Sequence, residues 1–381
     1  MGKQVSNPSA TGRFHIMIIS VTAMMVYHHR YELIAKFLEN GYDVTVVAPE
    51  AAETKNLIDL GCKFININVN QRGKNPIMDI IFCRRLVKII KNEKPDAALP
   101  FYTKTNIYGS IAARVTRTPY IANITGLGSA IENGGLMRSI MMNLYRVAVR
   151  NAECLFFQNT YNRDFFKRFN IRSKSCRLLP GSGVALDRFK EMPYPDENKP
   201  MVFIFISRII REKGIDQYIE AARYFKRKYN EMTFHVVGPC EDDSYADLLK
   251  RMDGNGIIKY HGKQLDVRPF IMMSNAVVFP SHYSDGMANV LLEGAASGRP
   301  LITTSRPGCG EAVEDGVSGL LVRGKDLNSL IDAIQRFIDL PYEKKAEMGH
   351  QGRKKMERQF DRSIVVDAYC EEIEKIFERT R

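Results

Sequence analysis

Two cations and two acids are spaced in this chain so that together they could handle a phosphorylated polyol. Arg208 and Lys213 lie in SRIIREKG, residues 207–214, directly after an apolar run from Met201 that reads as a buried strand. A guanidinium and an ammonium at one strand end supply charge-assisted hydrogen bonds to a diphosphate and can neutralise it as a leaving group without a metal. Asp285 and Glu293 lie eight residues apart in PSHYSDGMANVLLEGAASGRP, Pro280 to Pro300. That stretch reads as the end of a strand (Ala276–Pro280), a polar loop, and a helix from near Met287 to Gly298. Asp285 then sits at the helix entrance and Glu293 about two turns in, at ~3.6 residues per turn. A helix start offers unpaired N–H groups and a positive dipole end, a ready anion site. Ionised carboxylates only accept hydrogen bonds, which suits them to hydroxyls. A phosphate flanked by hydroxyls describes an activated sugar. Each feature alone also has a plainer reading: solvated loop cations, and a helix with Asp285 as its N-terminal anion.

The elements that must position these residues alternate between strand and helix. Phe14–Ser20, Asp43–Ala48, Phe64–Val69, Ala97–Phe101, Tyr120–Thr125 and Leu155–Gln158 read as short strands, and helical patterns near Tyr27–Asn40, Ile77–Lys91, Ile107–Arg117 and Leu136–Arg150 fall between them. Leu178–Pro200, with four prolines and two glycines among polar residues, breaks the rhythm and reads as a connector between domains. Alternation resumes with Met201–Ser207, a helix Ile215–Tyr229, and strands Thr233–Val237, Ile257–Tyr260, Ala276–Pro280 and Leu301–Thr303. After Gly324 the pattern is helical, broken at Phe360–Asp361. Such alternation argues for an α/β protein with parallel sheets covered on both faces. Two facing Rossmann-like domains are expected, at 12–188 and 200–360, with ligands bound beyond the strand carboxyl ends.

The totals agree with this division. The chain has 381 residues, too many for one ordinary core, with 45% hydrophobic and 26% charged residues. Its seven cysteines are scattered and form no CxxC or Cys/His cluster, as expected of reduced thiols in a cytoplasmic protein. No run approaches the ~20 apolar residues of a membrane span. The formal charge of +12 is uneven: residues 1–190 carry +14 and residues 191–381 carry −2. One domain is therefore expected to meet an anionic partner.

SRIIREKG, PSHYSDGMANVLLEGAASGRPLITT and the turn EDGVSGLLV together resemble the signature set of the family 4 retaining glycosyltransferases with the GT-B fold. The similarity covers nearly the whole chain. ITGLGSA, LLPGSGV and TSRPGCGEAVEDG make it most similar to bacterial transferases that build capsules, exopolysaccharides or lipid-linked glycans. The resemblance implies that Arg208 and Lys213 hold a nucleotide diphosphate and that Glu293 accepts hydrogen bonds from the ribose hydroxyls. It further implies that Asp285 and the backbone of Gly286, Met287, Ala288 and Asn289 bind the donor sugar, with Val290 and Gly238 in the same donor site. It also implies a C-terminal helix, about 362–381, packed back on the first domain. The expected donor is a UDP-sugar. No cofactor or metal is expected, and no HExxH, GxGxxG or P-loop motif occurs.

Three departures from the family pattern bear on the site. Family members usually have glutamate where this chain has Asp285, one methylene shorter by ~1.5 Å. A Gly-Gly loop after the first strand is replaced by Val21-Thr22-Ala23-Met24-Met25. A histidine after a middle strand of the first domain is missing from Asn123–Gly128, which leaves Thr125 or the adjoining backbone to serve. Thr22, His28 and Arg30 follow the first strand and are the acceptor-side candidates. Leu136–Arg150 reads as a basic amphipathic helix, able either to pack on the sheet or to lie on an anionic bilayer. With the +14 half it supports a peripheral position on the inner face of the cell membrane. The alternatives are a nucleotide-sugar epimerase of the same fold and, in another class, a basic nucleic-acid-binding protein. The latter lacks any RRM, KH or zinc-finger signature, and nucleic acid is not an expected partner.

Overall fold

The computed structural model describes residues 13–69, 75–128, 131, 134–283 and 286–380. The chain divides into two compact units, one running up to Ser182 and resuming at Ser363, the other comprising Gly183–Arg362. Both are parallel α/β sheets.

In the first unit, β1 (His15–Ile19), β2 (Asp43–Ala48), β3 (Lys63–Asn66) and β4 (Ala97–Pro100) pair in the order β3-β2-β1-β4. A second sheet, β5 (Ile121–Ile124), β6 (Cys154–Phe157) and β7 (Cys176–Leu178), continues from β4 through a parallel bridge between Ala98 and Tyr120. β1, β4, β5 and β6 are buried along their whole length, as continuous apolar runs in a doubly covered sheet should be. The helix Arg362–Thr380 returns to this unit, as expected. Its Val365, Tyr369, Ile373 and Ile376 join the core built on β1 and β2. The Tyr369 hydroxyl donates to the Asn123 side chain. Asn123 in turn donates through Nδ2 to the Pro100 carbonyl at 3.0 Å, which ties β5, β4 and the terminal helix together.

The second unit is one six-stranded sheet of β8 (Val202–Ile206), β9 (Thr233–Val237), β10 (Lys259–Tyr260), β11 (Ala276–Phe279), β12 (Leu301–Thr304) and β13 (Gly319–Val322). Their order is β10-β9-β8-β11-β12-β13, every pair parallel. The winding direction reverses between β8 and β11, the switch point at which such sheets open a crevice for ligands.

Two expectations change. The segment 183–199 is not a free connector but part of the second unit. Val184 and Phe189 are buried in that unit's core, and the Val184 amide donates to the Phe360 carbonyl while the Arg362 amide donates to that of Val184. The clamp on this segment is Arg299, which is fully buried. Its guanidinium donates to the carbonyls of Met192 (3.0 Å), Pro193 (2.8 Å), Ile271 (3.1 Å) and Met272 (2.9 Å). A buried cation without an acidic partner is tolerable only with its donors satisfied in this way. Desolvation lowers its pKa to about 10. The second change is at the helix after β11, which spans Asn289–Ala296 and not Met287 onward. Among the described residues, no helix is long and apolar enough to cross a membrane.

Candidate active site

At the carboxyl ends of β8 and β11, two loops are locked to each other. The Glu212 carbonyl accepts the His282 amide at 3.0 Å and the Ser281 hydroxyl at 3.3 Å. Gly214 closes the first loop at φ +83°, and a Cβ there would lie 2.3 Å from the Pro280 carbonyl oxygen, so only glycine permits the approach. Ser281 is anchored from the other side by the Thr304 hydroxyl, which donates to its carbonyl at 2.6 Å. SRIIREKG and the segment Pro280–Tyr283, more than sixty residues apart in sequence, thus form a single rim.

Lys213 stands inside this rim, 8% exposed, with its Nζ 5.2 Å from the Tyr283 ring centre and 5.5 Å from that of Phe279. Aromatic faces stabilise a desolvated ammonium and fix where it points. Arg208 is exposed and makes no ion pair among the described residues. Gly238 borders the same strand end at φ +145°, where a Cβ would fall 1.7 Å from the Ser207 carbonyl oxygen. Its amide donates to the Gly262 carbonyl at 2.8 Å, and its carbonyl accepts the Tyr260 hydroxyl at 3.0 Å. Its place in the site is therefore structural: it lets the β9 loop close down beside Arg208.

Glu293 lies on the second turn of the helix Asn289–Ala296, partly buried, with no hydrogen bond to its carboxylate among the described residues. Burial raises its pKa above the ordinary carboxylate value, and the attraction of Arg362 and Arg188 offsets this only in part. A desolvated carboxylate that lacks hydrogen-bond donors gains most from hydroxyls.

The loop residues before this helix divide. Asp285 lies outside the described residues. The Ala288 amide donates to the Gly308 carbonyl at 2.8 Å, so that donor is engaged within the protein. The side chains of Met287 and Ala288 are core residues of the second unit, and Val290 packs against that core, so any contact to a ligand falls to their backbone. Tyr283 and His282 were not singled out in the sequence, although both stand in the same motif. Burial, with Lys325, Arg306 and Arg211 nearby, holds the His282 imidazole below its usual pKa. Among the described residues, no group of three His, Cys, Asp or Glu side chains could hold a metal ion.

The first-unit candidates are placed differently. Thr22 is the N-cap residue of the helix Ala23–Glu39, without a side-chain capping bond. His28 lies 3.5 Å from the Glu53 carboxylate, both partly buried. Arg30 is turned inward, 5% exposed, its guanidinium 4.5 Å over the Phe101 ring and donating to the His29 carbonyl at 2.8 Å. A side chain so placed supports the core and does not reach into solvent. Thr125 is partly exposed just after β5.

With this geometry in hand, similarity to known proteins is decisive. Residues 187–355 match the family described as "Glycosyl transferases group 1", and residues 16–159 match "Glycosyl transferase 4-like". The chain belongs to the family 4 glycosyltransferases. It is 26% identical over 341 residues, 85% of this chain and 89% of the other, to the N,N'-diacetylbacillosaminyl-diphospho-undecaprenol alpha-1,3-N-acetylgalactosaminyltransferase of Campylobacter jejuni. It is 24% identical over 315 residues, 78% of this chain and 80% of the other, to the UDP-Gal:alpha-D-GlcNAc-diphosphoundecaprenol alpha-1,3-galactosyltransferase of Escherichia coli. The fold matches that of Anabaena HepE, solved with UDP and glucose, at a TM-score of 0.78 and 15% identity, over 95% of this chain and all of that one. The glycosyltransferase fold is GT-B, and the transferase's two matched segments fall one in each unit.

Proposed function

We propose that this glycosyltransferase moves a sugar, with retention of configuration, from a uridine-diphosphate donor to a glycan carried on a polyprenyl diphosphate, in the assembly of a bacterial surface polysaccharide. The donor reading rests above all on Lys213, a cation buried at the β8–β11 switch point and aimed by two aromatic rings. Arg208 at the same strand end and Glu293 two turns into the neighbouring helix complete the set. In this reading the two cations offset the charge that develops on the departing diphosphate, the preorganised electrostatic role that contributes most to such reactions. Glu293 holds the ribose hydroxyls. Asp285 and the backbone near Gly286 and Asn289 hold the sugar. The leaving diphosphate helps to accept the proton of the attacking hydroxyl, and a metal is dispensable.

The acceptor reading is supported by the two relatives named for diphosphoundecaprenol-linked substrates. UDP as the donor nucleotide is supported by the relative named for UDP-Gal and by the UDP bound to HepE. Thr22, His28 and Thr125 are the first-unit residues proposed to lie near the acceptor. A peripheral position on the inner membrane face fits an acceptor of this kind. The test is UDP release from a panel of UDP-sugars, with and without a short-chain polyprenyl-diphosphate glycan, in chelator. Acceptor-dependent release that survives the chelator supports the proposal. Release restored only by a divalent ion would remove the metal-free mechanism, and no release from any nucleotide sugar would remove the donor assignment.

A further inference from the structure

The helix Pro76–Glu93 exposes four large apolar side chains in its first two turns: Ile77 at 68%, Met78 at 53%, Ile80 at 53% and Ile81 at 37%. One turn further on it behaves as an ordinary sheet-packing helix, with Phe82, Leu86 and Ile90 buried. Its Arg85 is level with the end of β3, because it lines a cavity of about 290 Å³ with Asn66, Asn68 and Lys88. The nine helical steps from Arg85 back to Pro76 therefore carry the helix about 13 Å past that point at 1.5 Å per residue. The overhang is held in place: Asp79 pairs with Lys104 at 2.7 Å and accepts the Tyr108 hydroxyl at 3.0 Å. Folding of this unit gives no reason for an apolar tip held rigidly in water.

A second helix repeats the arrangement. Gly135–Val149 packs on the same face of the sheet through Met142, Tyr145 and Ala148, yet exposes Leu136 at 78%, Met137 at 40% and Ile140 at 44%. The two helices follow β3 and β5, in parallel sheets joined by the Ala98–Tyr120 bridge, so their first turns stand at the carboxyl edge. At the tips themselves the described charges are the Asp79–Lys104 pair and Arg138; the exposed charge farther along both helices is basic. Arg84, Arg85, Lys88 and Lys91 are exposed along the first helix, and the second holds Arg138 and Arg146 with no acid.

We propose that this edge of the first unit docks on an anionic bilayer. The two apolar tips enter the boundary between headgroups and acyl chains, and the Asn66–Asn68–Arg85–Lys88 cavity receives a lipid phosphate. A second copy of the chain would bring like charges together, whereas anionic lipid complements them. The inference rests on the lipid-linked acceptor proposed above and names the surface that brings the enzyme to it. It also narrows the membrane contact expected of Leu136–Arg150: that helix buries its Tyr145 face and concentrates its exposed apolar side chains in its first turns, with Val147 alone exposed near its end.

The test is flotation of the full chain with phosphatidylglycerol-containing vesicles and with pure phosphatidylcholine vesicles, at moderate and high salt. The variants are Ile77→Glu/Ile80→Glu and Arg85→Glu/Lys88→Glu. Wild type should float with anionic vesicles, the tip variant at least tenfold less, and the charge variant without preference for anionic lipid. Both variants should keep the wild-type melting temperature and the stabilisation by UDP. Hydrogen exchange on the wild type alone should show residues 76–88 protected by vesicles and not by inorganic phosphate. Equal flotation of the tip variant, equal binding of wild type to neutral vesicles, or protection by phosphate alone would overturn the proposal. So would a tip variant that changes the sedimenting mass and leaves flotation intact. A loss of UDP binding by wild type would instead remove the functional reading beneath it.

Discussion

The carboxyl edges of the two sheets are built in opposite ways. In the second unit, loops after β8, β9, β11 and β12 are bonded to one another, two glycines permit backbone contact, and the principal cation is buried between rings. In the first unit, the corresponding edge carries a partly buried His28–Glu53 pair, an inward-turned Arg30 and two exposed apolar helix tips. The difference teaches what each edge is suited to bind. A small, highly charged donor repays a rigid, preformed pocket, because fixed dipoles and cations need no reorganisation when charge moves. A bulky acceptor anchored in lipid asks for an open, amphipathic border.

The largest effect that would sharpen this contrast is structural. Replacing Arg299 with Met removes the clamp on Met192 and Pro193 and leaves several buried carbonyls unpaired. Denaturant unfolding should show a loss of about 3–5 kcal/mol. A loss under about 1 kcal/mol would mean that the second unit is not held by this residue. Next comes Lys213→Ala, expected to lower kcat by about 10²–10³ with the fold unchanged by circular dichroism. Retained turnover would break the view of the second unit as the donor side.

The third effect is a pH dependence to which the second unit's His235 contributes most. His235 is buried beside His261 at 3.2 Å, and burial first, then that neighbour, pushes its pKa down to about 4. The folded state therefore binds fewer protons than the unfolded one between pH 6.5 and 4. The stability this group contributes is complete above about pH 6.5 and lost as pH falls toward 4, by roughly 2–3 kcal/mol. Melting temperatures across that range should fall for wild type and fall less for His235→Gln, the remainder coming from His15, His261 and His282, whose burial also lowers their pKa. A flat wild-type profile would contradict the burial assigned to the pair.

Smaller changes follow at the acids. Glu293→Gln removes a charge whose folded pKa is raised, so the ligand-free protein should melt slightly higher at pH 8, while UDP affinity falls about tenfold, worth ~1.4 kcal/mol. Calorimetry on His28→Ala should leave UDP affinity unchanged, and a matching loss there would erase the contrast between the two edges. The smallest effect is expected for Asp285→Glu, which restores the more common side chain of the family. It should stay within a few-fold of wild type, and complete loss with an intact fold would refute the role given to that position.

Much of the second unit was legible in sequence because its chemistry and its strand pattern share the same short stretches. SRIIREKG and PSHYSDG announce both a strand end and a set of ligand groups. What stayed hidden depends on partners far away in the chain. Nothing local marks Arg299 as the residue that gathers carbonyls from residues 192, 193, 271 and 272. The Ala288 amide looked free because its acceptor, Gly308, lies twenty residues later. The stretch before β8 looked like a linker because prolines and polar residues read alike in a linker and in a strap. Strands β7 and β13 were missed: β7 has only three residues, and β13 follows the turn EDGVSG so closely that it reads as part of it. In the first unit, the helix Ile77–Lys91 was seen, but a wide apolar face in sequence does not say which part of it is covered.

The central claim is that the second unit is a nucleotide-sugar donor site organised by Lys213. Titration calorimetry with UDP on wild type and on Lys213→Ala tests it most directly. Micromolar binding by wild type, at least tenfold weaker in the variant and unaffected by chelator, is the predicted result. Equal affinity in the two proteins, or no binding of any nucleoside diphosphate by wild type, would contradict it.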